Sequence, residues 1–101
     1  MRLLVKITPN HQIFNQWVKD GSAPEKMQAI LTSLKPEAVY FTLIEGRRSL
    51  IAIVNIDEAS QMATLLEPWF LQLEAQVEAH PVMLQEDLMK ADLVAIGKKW
   101  G

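Results

Sequence analysis

The feature that most constrains this chain is a pair of apolar β runs, EAVYFTLIE and RSLIAIVNI, folded about Glu45-Gly46-Arg47-Arg48. Both runs are rich in Val, Ile, Phe, Tyr and Thr, which suit a pleated, half-buried surface. Gly46 followed by Arg47 fits a two-residue II′ loop, whose first central residue needs a positive φ that glycine adopts without steric cost. In that register Glu45 faces Arg48, Leu43 faces Leu50, Phe41 faces Ala52, Val39 faces Val54 and Glu37 faces Ile56. Val39, Phe41, Leu43, Leu50, Ala52, Val54 and Ile56 then share one apolar face, which must pack on helices. The other face holds Ala38, Tyr40, Thr42, Ile44, Ser49, Ile51, Ile53 and Asn55, and is mixed. A three-residue loop would move Ser49 and Asn55 onto the clean face, so the pattern favours the shorter turn.

The remaining elements follow from periodicity. Residues 2–8 alternate, with Leu3, Val5 and Ile7 on one side, and read as a strand ended by Pro9. Asn10 is a cap for a helix over 11–20 that stops at Gly21. A second helix over 24–34 has Ser22 as cap, with Glu25 at capping-box distance. Lys35-Pro36 ends it in an extended entry to the hairpin. Asp57 opens a helix that runs to about Glu67 and is ended or kinked by Pro68. Leu71, Leu73, Ala75, Val77 and Ala79 alternate strictly with Gln72, Glu74, Gln76, Glu78 and His80, which predicts a strand. A final helix spans Gln85 to Ile96, with Gly97 and Lys98-Lys99 at its end and Trp100-Gly101 loose.

This order predicts a single α+β domain over residues 1–101. Its core is a ferredoxin-like βαββαβ antiparallel sheet with helices on one face, plus an extra helix in the first crossover and a C-terminal helix. Right-handed crossovers put the first strand in the middle, beside the third, with the fourth on its other side. The uncovered face then collects Leu4, Lys6, Thr8, Tyr40, Thr42, Ile44, Ile51, Ile53, Asn55, Gln76, Glu78 and His80.

The 101 residues are half hydrophobic, enough for a core, and carry a net charge of −2. No basic field exists to hold nucleic acid or an anionic membrane. There is no cysteine, so thiol chemistry and Cys-based metal sites are excluded. Lys6 interrupts the apolar start too early for a signal peptide, and no run reaches the roughly 20 apolar residues of a membrane span. A soluble cytoplasmic protein is the expectation. Two distant histidines and four scattered glycines support neither a metal centre nor a phosphate loop, so no cofactor is expected.

The element pattern resembles the dimeric α+β barrel families, which include muconolactone isomerase and antibiotic-biosynthesis monooxygenases. The most specific local part is a helix, then Leu66-Glu67-Pro68-Trp69-Phe70, then an alternating strand ending in His80-Pro81-Val82. The chain departs from the simplest members in its extra helix at 24–34 and its C-terminal helix. The resemblance implies a homodimer in which two mixed faces form a barrel, with a cavity for a small molecule between sheet and helices or inside the barrel. Lys6, Tyr40, Asn55, Trp69, Glu78 and His80 are the candidate ligand-binding residues, and no catalytic residue is assigned. Glu78 and His80 share a face and Lys6 lies on the neighbouring strand, so a histidine beside a carboxylate is available as a base. Each candidate also has a plainer role: polar pairs in a dimer interface or solvated groups at the sheet edge for Lys6, Glu78 and His80, interface partners for Tyr40 and Asn55, and a core anchor for Trp69. The alternative to a small-molecule site is a non-catalytic dimerisation or interaction module.

Overall fold

The computed structural model describes residues 1–101. In chain order the elements are β1 (Arg2–Thr8), α1 (His11–Lys19), α2 (Ala23–Leu34), β2 (Ala38–Ile44), β3 (Arg47–Asn55), α3 (Gln61–Leu73), β4 (Gln76–Val82), α4 (Gln85–Met89) and α5 (Leu93–Trp100). The four strands form one antiparallel sheet in the order β2-β3-β1-β4. This α+β arrangement is compatible with a ferredoxin-like fold. No helix is long and apolar enough to cross a membrane.

Strand parity decides where the core lies. In β1 the odd residues Leu3, Val5 and Ile7 are buried and the even ones are half-buried. Leu50, Ala52 and Val54 of β3 lie beside them and are equally closed. Met27, Ile30 and Leu34 of α2, Trp17 of α1, and Leu66, Trp69 and Leu73 of α3 cover this side. Asn10 caps α1 by accepting from the Ile13 amide at 3.0 Å, while its own N–H donates to the Leu73 carbonyl at 2.9 Å. One residue thus starts α1 and ties it to the end of α3.

The hairpin turn differs from the expected one. Its central residues are Glu45 and Gly46, both with positive φ (52° and 76°), which is type I′ geometry, with glycine second rather than first. Leu43 therefore faces Arg48, Phe41 faces Leu50 and Val39 faces Ala52. The shift relative to the expected pairing is two residues, so every side chain keeps its face. The Glu45–Arg48 pairing is lost. Arg48 instead donates to Asn15 Oδ1 of α1 at 2.8 Å and stacks over Phe14.

Three helix boundaries also differ. Ser22 makes no side-chain cap; its backbone N–H is taken by Asp20 Oδ1 at 2.9 Å. α3 starts at Gln61, whose side chain accepts from the Asp57 and Glu58 amides, and runs through Pro68 to Leu73. Leu66, Trp69 and Leu73 recur at helical spacing and are buried, which outweighs the carbonyl that Pro68 leaves unpaired. Leu71 is 75 % exposed on the outer side of that helix, so its apparent place in an alternating strand is coincidental. The helix ends only where Glu74 turns left-handed at φ 43°. The expected single helix over 85–96 is broken at Asp92, which adopts φ 51° and caps α5 by accepting from Ala95 N at 3.2 Å. Gly97 and Trp100 lie within α5.

Trp69 is fully enclosed, and its indole N–H has no partner. Replacing Trp69 with Ala is expected to cost ~3–5 kcal/mol in urea unfolding, the range for truncating a buried aromatic. Trp69→Phe should cost markedly less, because it also removes an unsatisfied buried donor. Glu45→Asn should stabilise the fold by roughly 0.5–1 kcal/mol, since asparagine accepts the left-handed conformation that I′ turns require.

Candidate functional site

The face of the sheet away from the helices is organised in rows set by strand register. One row runs Tyr40, Ile51, Lys6, Glu78 across β2, β3, β1 and β4. The next runs Ala38, Ile53, Leu4, His80. Strand neighbours lie ~4.8 Å apart, so a row spans about 14 Å.

Register brings three candidates together. Glu78 Oε2 lies 3.2 Å from His80 Nε2 and 3.8 Å from Lys6 Nζ. Glu78 sits between its strand neighbour two residues on and its cross-strand partner. The His80 hydrogen bond, then the Lys6 charge, hold its carboxyl below the usual glutamate range. A carboxylate stabilised in this way is an anchor for cations and donors, and a poor proton acceptor. All three side chains are open to solvent, which screens these charges.

The other candidates stand apart. Tyr40 shares the row of Lys6 but lies two strands away, on the outer strand, and is 66 % exposed. Asn55 sits opposite Arg2 at the far end of the sheet. There Glu37 accepts from Arg2 Nη2 at 3.0 Å and from Asn55 Nδ2 at 3.5 Å. The Arg2 hydrogen bond holds the Glu37 carboxyl below its ordinary range, and Glu37 in turn raises Arg2. This cluster tethers the start of β1 to the entry of β2. Trp69 belongs to the core, behind the sheet.

An open hollow of about 560 Å³ lies on the same face, lined by Lys6, Thr8, Ile44, Glu45, Arg47, Gln76, Val77 and Glu78. Every strand contributes to it, so the face is concave there. The hairpin tip forms one wall and the start of β4 the other. Thr8, one of its lining residues, has its Oγ1 3.0 Å from Ser49 Oγ of β3. Arg47 is exposed and has no acidic partner within ion-pair distance, which leaves its guanidinium free for a ligand. Arg47, Thr8 and Gln76 were not among the candidates. Parity alone puts Thr8 and Gln76 on this face; assigning Arg47 to the turn, and not to β3, hid its direction.

Carbon-detected titration should place the Glu37 and Glu78 carboxyls below an ordinary glutamate. Arg2→Ala should raise the first and His80→Ala the second. Both folded values are depressed, so the associated stability is present above the unfolded glutamate pKa and is lost as pH falls through the folded one. Stability differences between wild type and either variant should therefore vanish at the acidic end of that window.

No protein-family model matches the chain, and no curated protein matches it, so the likeness to the barrel families stands on the element pattern alone.

Proposed function

We propose that this chain is a homodimeric α+β barrel of ferredoxin-like subunits, and that its concave face binds a small polar metabolite bearing a carboxylate or similar anion. The observation that carries this reading is the hollow at Lys6, Thr8, Arg47 and Gln76, where Arg47 has no acidic partner within ion-pair distance although Glu45 and Glu78 also line the hollow. Arginine recognises carboxylates through two parallel N–H donors, which gives orientation as well as attraction. Glu78 and His80 extend the polar wall along β4. Apposition of two such faces would take Leu4, Ile51 and Ile53, now half-buried, out of water and close the hollow from above. Low water content would strengthen each charged contact inside. The depressed Glu78 carboxyl supports binding over proton transfer.

A second reading, a non-catalytic association module, is favoured by the apolar part of the same face. Tyr40 and Ile51 are paired directly, and Ile53 lies beside Leu4, so the face could self-associate with no ligand.

Native mass spectrometry of the purified protein should show twice the chain mass, with additional dissociable mass. Succinate and citrate should shift the amide signals of Lys6, Thr8, Arg47 and Gln76 in ¹H–¹⁵N spectra. Arg47→Ala should weaken that binding about tenfold or more, the order for a lost charge-assisted hydrogen bond. A monomer at low micromolar concentration would defeat the barrel reading. A dimer with no bound mass and no shifts would leave the association module standing.

A further inference from the structure

The segment that follows β4 has no role in the subunit. Residues 83–101 are all exposed, and α4 and α5 make no substantial packing with the sheet or its helices. They draw the molecule out to 60 Å, against 29 and 18 Å in the other directions. Yet this arm is not composed like a solvated tail. Leu88, Met89, Leu93, Val94, Ile96 and Trp100 are all exposed, Trp100 to 77 %. Leu93, Ile96 and Trp100 fall on one helical stripe of α5. Such side chains on both helices amount to several hundred Å² of apolar surface, the order of the roughly 800 Å² each partner gives to a stable interface.

A matching surface exists on the body. Between α3 and the edge strand β4 runs a groove of about 350 Å³ lined only by Met62, Ala63, Leu66, Phe70, Val77 and Ala79. Charge fits as well. From Asp57 to Asp87 the chain holds seven acidic residues and no lysine or arginine, and Glu58, Glu67 and Glu74 lie before, in and after α3. α5 carries Lys98 and Lys99 and no acid. A basic, apolar helix is thus matched by an apolar groove on a segment of the body that carries acid and no lysine or arginine.

The groove of the same chain is not filled by its own arm, since neither α4 nor α5 packs substantially on α3 or β4. It opens on the helix-covered face of β4. Glu86 and Asp87 of α4 lie close enough to Arg2 to add to the field on its guanidinium, and Arg2 belongs to the open face of β1. The arm itself starts from the end of β4 beside Arg2 and does not pack on its own α3 or β4, so its apolar stripe is left for the groove of another copy.

We infer that α5 of one copy seats in the α3–β4 groove of a second copy, the two arms exchanging about a two-fold axis. This rests on the homodimer proposed above and adds the element that clasps it. Exchange is isologous, so each chain supplies one arm and one groove.

The test mixes equal amounts of unlabelled and ¹⁵N-labelled full chain, lets them re-equilibrate, and applies a zero-length carbodiimide crosslinker. Lys98 or Lys99 should be joined to Glu58, Glu67 or Glu74, with mixed-isotope pairs in statistical proportion. Crosslinks only within one isotope would show the arm in its own groove and overturn the inference, as would none at all. Ile96→Glu, at a residue outside the core, should keep the circular dichroism of the wild type and weaken the dimer roughly tenfold or more, as for loss of an anchor side chain. An unchanged dissociation constant would overturn the clasp and leave the face-to-face dimer intact. A wild-type protein that sediments as a monomer would instead overturn the dimer reading itself.

Discussion

The two-sided environment of β1 is the constraint on which the rest of the structure depends. It is hydrogen-bonded on both edges, to β3 and β4, and its alternate residues face two different media. Leu3, Val5 and Ile7 are sealed under the helices; Leu4, Lys6 and Thr8 look out. A one-residue slip against either neighbour would bury Lys6 and expose Val5. The apolar side therefore fixes, by its own burial, which polar side chains share the open face. Lys6 meets Glu78 because Val5 meets Ala79.

The helix layer secures that parity through α3. Trp69 fills the space between α3 and the sheet at the cost of an unpaired indole N–H, and Leu66 and Leu73 flank it one turn away on either side. The stripe keeps the helix intact through Pro68, so the break falls at Glu74 and β4 begins at Gln76. Had the helix ended at the proline, Gln72 and Glu74 would have extended β4 beyond the end of β1.

The open side is the surface on which the proposed dimer rests. Its polar groups gather at one end around an arginine with no acidic partner, its apolar groups occupy the middle, and an exposed amphipathic arm with no substantial packing on the body departs from its edge. A second copy stacked on that face would use all three features at once. It would roof the hollow, cover the isoleucines and receive the arm. Ligand recognition and subunit association would then share one surface, so occupancy of the hollow and strength of the dimer would be linked.

Much of this was legible in the residues. The two-fold periodicity of RLLVKIT and of both hairpin runs set which side chains share a face, and that assignment survives even though the turn is Glu45-Gly46. It survives because alternation repeats every two residues, so a two-residue shift is silent. The same arithmetic put Lys6, Glu78 and His80 on one face. What periodicity could not decide were the ends of elements. Over Leu71 and Leu73 an alternating pattern overlaps the end of a helix, and only the burial of Leu73 with Leu66 and Trp69 selects the helix. At Asp92 a left-handed residue splits what reads as one amphipathic helix. Arg47's reach into the hollow depends on the exact turn and on sheet curvature, both properties of the assembled strands. The sequence by itself determined the sidedness of the sheet, because side-chain alternation is local; tertiary structure alone decided where helices stop and which side chains converge, because those depend on contacts between residues far apart in the chain.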